Sequence, residues 1–268
     1  MKQKKIQAIT NAKLLSTDTD SILNIAIKNQ KIIALGYLPD EDNIDEINVC
    51  HHLIINNVFN IGNFINNDIS ITEPNTQLNN NSNIIAIDGY ELIKHVNSKT
   101  LKSSQQCYIA SVQLSELLFI IQEATKKPLP SHCHLILNNI DNEASTMLSS
   151  IKLPESVSIG IYLPEESSPN LNNIETLILA KTIVSLSCKP STALSSAIMT
   201  YFPKNYTKIF DLLFNEASKT IFQISPIPIK IGNIINATFI QKKHPHNITA
   251  IISNGQIKII KGDKNDKK

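Results

Sequence analysis

The chain has 268 residues, a formal net charge of +2, 42% hydrophobic residues and 18% charged ones. That supplies a core for one large domain, or for one domain with a small companion. There is no dense basic stripe and only 5% aromatic content, which excludes a nucleic-acid binder. No stretch approaches the roughly 18 apolar residues of a membrane span.

The first fifty residues read as β-structure. "IQAITNAKLL" is a strand. "ILNIAIKNQKIIALG" is two apolar runs around Lys28-Asn29-Gln30-Lys31, a hairpin in which Asn29 tolerates positive φ and Gln30 is a poor second turn residue. "PDEDNIDEI" reads as an acidic loop and "HHLIINN" as a further short strand.

The middle changes period. "IIAIDGYELIKHV" reads as strand, turn and helix. "LSELLFIIQEATKK" places Leu114, Leu117, Leu118 and Ile121 at helical spacing. "PSHCHLILNN" is a strand, and "DNEASTMLSSIK" a helix capped by Asp141 or Asn142. "SVSIGIYLP" is a strand; "IETLILAKTIVSL" and "YTKIFDLLFNEASKTIF" read as helices. Strands alternating with helices imply a parallel α/β core. The end returns to strands in "PIKIGNIINATFI" and "ITAIISNGQIKIIKG", with Asn254-Gly255 as a type I′ turn signal.

These elements divide the chain. Residues 1–55 and 227–262 are expected to form a composite β-sandwich domain. Residues 56–226 form a shortened or incomplete TIM-like (β/α) barrel, and 263–268 a basic tail. A full barrel takes roughly 250 residues, so the central segment has room for about six or seven βα units.

Few side chains suggest chemistry. Cys50-His51-His52 are adjacent, so on a strand they alternate faces and are poor joint ligands. His132, Cys133 and His134 sit on one predicted strand. His244-Pro245-His246 reads as a loop. Ser185, Ser187 and Cys188 have no G-x-S-x-G turn or paired His, and read as a helix end stopped by Pro190. The cysteines Cys50, Cys107, Cys133 and Cys188 form no CxxC pair, and the start "MKQKKIQAITNAKLL" has no long apolar run behind it. Reduced thiols in a cytoplasmic protein are expected.

In their order and spacing, several segments resemble the amidohydrolases, dihydroorotases in particular. "ITNAKLLSTDTDSILNIAIKNQKIIALG" is similar to the family's opening strand and hairpin. "HHLIINNVFNIGNF" falls where the family writes G-x-x-V-x-P-G-F-I-D-x-H-x-H-x-R. "IKIGNIINATFI" and "AIISNGQI" are similar to its closing strands, and "FDLLFNEASKTIF" to the helix before them. The resemblance implies a metal-dependent hydrolase of cyclic amides on a (β/α) barrel. Its metal site would begin with an Asp and two His on the first barrel strand, followed by an Arg for the substrate carboxylate.

Here the matching positions are Asn60, Gly62, Phe64 and Asn66. Glycine and phenylalanine cannot ligate, and an Asn offers no bidentate cationic fork. "SHCHLILNN" falls where the family carries a ligand His, which matches His134 in the preferred register and His132 in the other. The bridging-lysine role would fall to Lys94. The Asp before the family's last His-rich motif has no counterpart between Gly160 and Pro190.

The expectation is therefore a degenerate, non-catalytic dihydroorotase-like chain with no catalytic residues, no cofactor and no metal, His132 and His134 being vestiges. Zinc enters only under the alternative of a divergent cyclic amidohydrolase with a reduced site. A further alternative is an unrelated α/β binding module. The resemblance also implies a protein partner in pyrimidine biosynthesis, with aspartate transcarbamoylase the candidate, or a homo-oligomer.

Overall fold

The computed structural model describes residues 6–14, 22–40, 44–49, 52–56, 84–101, 106–138, 140–163, 171–188, 194–221, 229–235, 237–241, 244–253 and 256–259. The chain divides into two compact units, Met1–Asn57 with Pro226–Lys268, and Val58–Ser225.

The first unit joins both ends of the chain in one eight-stranded sheet. Its strands are β1 (Ile6–Leu14), β2 (Ile22–Lys28), β3 (Lys31–Leu35), β4 (Ile44–Asn48), β5 (His52–Asn56), β11 (Ala237–Gln241), β12 (His244–Ser253) and β13 (Gln256–Ile259). The order is β13-β12-β11-β5-β1-β2-β3, with β4 on β1. The β2–β3 turn uses Asn29 at φ 54° and Gln30 at φ 71°, the two positive φ values of a type I′ turn.

β1 has three partners because it is irregular. Asn11 has φ 58°, and the pairing to β2 shifts between Ile9 and Ala12. Before this point β1 also pairs with β4, and after it with β5. The sheet thus forks and encloses Ile9, Ile25, Ile27, Ile32, Ala237 and Phe239.

Two expectations fail in this unit. Ile44–Asn48, inside the acidic segment read as a loop, is a strand parallel to β1. Its inner members Ile44 and Ile47 pack on core clusters while Asp45 and Glu46 stay exposed. His244-Pro245-His246, read as a loop, begins β12, with His244 pairing to Gln241. A proline is tolerated there because it lies at the start of a strand.

The second unit is a sheet of five parallel strands in chain order: β6 (Ile84–Asp88), β7 (Cys107–Val112), β8 (His132–Leu137), β9 (Val157–Tyr162) and β10 (Ile183–Ser187). Its helices are α1 (Gly89–Ser98), α2 (Leu114–Lys126), α3 (Asn142–Ser150), α4 (Leu171–Leu179), α5 (Leu194–Tyr201) and α6 (Tyr206–Thr220). Right-handed crossovers that always step in one direction put every connecting helix on the same face. The other face is the interior of a (β/α) barrel, here incomplete, with five strands described against the six or seven that the length allows.

Local chemistry sets the helix starts. Asp88 accepts from the Tyr90 N–H at 2.8 Å, and Asp141 from the Ala144 N–H at 2.7 Å. Gln113 and Glu116 form a capping box. The helix-covered face is apolar, with Leu117, Ile120 and Ala124 of α2 buried above Cys133, Leu135 and Leu137 of β8.

Residues 174–186, read as one helix, are the end of α4 and most of β10. Lys181 adopts φ 61°, a conformation that ends a helix. The β-branched Ile183 and Val184 follow it into the sheet. Ser185–Ser187 is therefore strand, not a helix end. The inner face of the sheet is covered in part by α6, whose Phe214 and Ala217, with Ile221 just after it, pack with Cys107, Ile109, Ile136 and Val184.

Candidate functional site

Alternation along a strand sends His132, His134 and Ile136 to the inner face and Cys133, Leu135 and Leu137 to the helices. On β9 the matching inner positions are Ser158, opposite His134, and Gly160, opposite Ile136. On β10 the pairing shifts between Ile183 and Ser185, which sets Ser185 opposite Gly160.

These positions form one hydrogen-bonded chain. His132 Nε2 lies 2.7 Å from Ser158 Oγ, Ser158 Oγ 2.8 Å from His134 Nδ1, and His134 Nε2 2.7 Å from Ser185 Oγ. The space for it depends on Gly160. A Cβ there would collide with Ser185 Oγ and lie 2.8 Å from His134 Nε2. His134, Ser158 and Ser185 are 0%, 3% and 2% exposed. His132, at the N-terminal end of β8, is only part-buried.

Burial decides the protonation. Desolvation, with the neighbouring His132 adding to it, pushes the His134 pKa down to about 3. Desolvation also lowers that of His132, while a backbone hydrogen bond at Glu155 pulls it up. Both rings are thus neutral at pH 7, each with one N–H to give.

The Ser158 hydroxyl meets both rings, and it can donate to one while accepting from the other; which nitrogen carries each proton is set by the tautomer.

A serine against an imidazole is also the outline of an activated nucleophile. This pair does not fit that role. A general base works best with a pKa near the operating pH, far above that of His134, and both members are enclosed. The chain acts as a satisfied polar core, which costs little only while every member stays paired.

Metal chemistry of the kind the resemblance implies requires about three protein ligands on one ion. Among the described residues no three His, Cys, Asp or Glu side chains lie close enough to hold one. His132 and His134 share a face, but their serine-facing nitrogens are taken up by hydroxyls. The described donor set does not fit a metal. Asn60, Gly62, Phe64 and Asn66 lie outside the described residues, as do Cys50, His51, Glu165 and Glu166. His52 begins β5 in the other unit. Lys94 is exposed on α1, and Glu175 on α4 accepts from Asn205 Nδ2 at 2.6 Å.

Ser158 and Gly160 carry no motif, and Ser185 lacks a partner His when read alone. The signal that could have found them is shared by three strands. "HCHLIL", "VSIGIY" and "IVSLS" each place small or polar residues at alternate positions within an apolar run.

Among the described residues no helix is long and apolar enough to cross a membrane. No protein-family model matches the sequence, and no curated protein matches it. Solved structures do share its fold. The L-hydantoinase (dihydropyrimidinase) of Arthrobacter aurescens aligns with a TM-score of 0.56 at 10% identity, over 95% of this chain and 96% of its own. An amidohydrolase of Thermotoga maritima MSB8 gives 0.55 at 11% identity, over 94% and 99%. A beta-aspartyl dipeptidase of Fervidobacterium islandicum AW-1, solved with a beta-Asp-Leu dipeptide, gives 0.51 at 9% identity, over 94% and 96%. The chain has the amidohydrolase fold, in agreement with the resemblance read from its sequence.

Proposed function

We propose that this chain is a non-catalytic, dihydroorotase-like protein that serves as a structural or regulatory partner in pyrimidine biosynthesis, with aspartate transcarbamoylase as the candidate partner. The observation that carries this reading is the state of His134. It is the vestige that the resemblance puts forward as a metal ligand, yet it is fully buried with both ring nitrogens engaged by serines. An imidazole held this way serves the core of the sheet. The substitutions at Asn60, Gly62, Phe64 and Asn66 support the same reading from the sequence.

A fold kept without its chemistry is kept for its surface. The chain is expected to work in the cytoplasm without a cofactor, in a hetero-assembly or as a homo-oligomer. Co-expression with aspartate transcarbamoylase, followed by size-exclusion chromatography with light scattering, tests the partner. A stoichiometric complex is expected. Elution of this chain as a monomer beside the free transcarbamoylase would refute that partner. Stoichiometric zinc in the purified protein would instead favour a divergent cyclic amidohydrolase.

A further inference from the structure

We propose that a cleft at the N-terminal end of the parallel sheet binds a small monocationic amine with an apolar body. The cleft has a volume of about 460 Å³, within the range of about 300–1,000 Å³ typical of small-molecule sites. It is built from the segments that lead into β7, β8 and β9. Barrel enzymes place catalysis at the opposite, C-terminal ends of the strands. The cleft is therefore separate from any inherited active site, and the proposal does not depend on whether the chain turns over a substrate.

Three features define the ligand. Pro128, Pro130 and Pro154 line the cleft with rings whose φ is fixed, so much of its wall is preformed and apolar. Ser156, also in the lining, has a buried hydroxyl with no hydrogen-bond partner; a ligand that can pair with it removes a standing cost. Glu155 adds a carboxylate, and no Lys or Arg occurs among the described lining residues. Lys99 and Lys127 line a separate cleft of about 310 Å³ that shares Pro128–Pro130 with this one. A carboxylate without a cation selects against anions and for a positively charged nitrogen.

His132 makes the cleft responsive. His132 lines the cleft, and its ring is the outer member of the chain that runs to His134 and Ser185. A bound amine beside it is reported by that ring.

Three probes with one body and different heads test the proposal: benzylamine, benzyl alcohol and benzoate. Each is titrated into the ¹⁵N-histidine-labelled full chain while the His132 ring resonances are followed. Benzylamine is expected to give saturable shifts with a Kd on the order of 1 mM, tighter than benzyl alcohol, with benzoate weakest. Glu155→Gln should weaken benzylamine about fivefold and leave benzyl alcohol unchanged. Ser156→Ala should weaken both amine and alcohol by about three- to tenfold. Equal binding of benzoate and benzylamine, or no saturable shift with benzylamine, overturns the proposal, as does a Glu155→Gln protein that binds benzylamine like the wild type.

Discussion

On the helix-covered face, β8 presents Cys133, Leu135 and Leu137; on the inner face it presents His132, His134 and Ile136. Both faces are buried, but they hold together in different ways. The first needs only apolar volume, so it tolerates many sequences. The second is half polar and carries the paired chain from His132 to Ser185, whose members depend on one another, beside Ser187, whose buried hydroxyl has no partner. An inner face of this kind is where a barrel would carry ligands, and here His132, Ser158, His134 and Ser185 are turned on one another.

Acid separates the two faces most strongly. His134 takes up a proton near its ordinary 6.5 when unfolded but only near 3 when folded. Between those values the unfolded chain holds more protons, so stability is complete above about 6.5 and is lost as pH falls towards 3. The loss is on the order of 4 kcal/mol, and the lowered His132 adds in the same direction. Urea unfolding from pH 7 to pH 4, compared with His134→Gln, should show the steeper loss in the wild type. Parallel profiles would mean that His134 is not sealed.

Next in size is Gly160→Val. The new side chain meets Ser185 and the His134 ring and should cost about 3 kcal/mol in the same assay. A change below about 0.5 kcal/mol would show that the two strands do not clamp the imidazole. Within the chain, Ser158→Ala should cost about 2 kcal/mol and Ser185→Ala about 1 kcal/mol, because Ser158 joins two rings and Ser185 only one. The reverse order would contradict the connectivity. As a control on the helix-covered face, Asp141→Ala removes the cap of α3. It should lower stability by about 1 kcal/mol with no change in the pH slope.

These two faces also differ in how well the sequence displays them. Helical spacing announced α2, and Asp141 announced the start of α3. The apolar alternation of "SVSIGIY" announced β9. The inner face was harder. His132 and His134 stood out as residue types, but their partners lie 24 to 51 positions away and nothing local connects them. Ser185 has no G-x-S-x-G turn around it, and "TIVSL" continues an apolar run from α4 and looks helical. The break rests on a single residue, Lys181, in a conformation its type rarely adopts. β7 and α5 carried too little pattern to be read at all. β4 was hidden because its charged residues face solvent while its isoleucines pack inward.

The central claim is that the imidazoles of β8 serve the core and not a metal. Zinc-supplemented hydrolysis of dihydroorotate tests it most directly. No turnover above the buffer rate is expected, with or without added zinc. Zinc-dependent turnover in the wild type that disappears in a folded His134→Gln protein would contradict it.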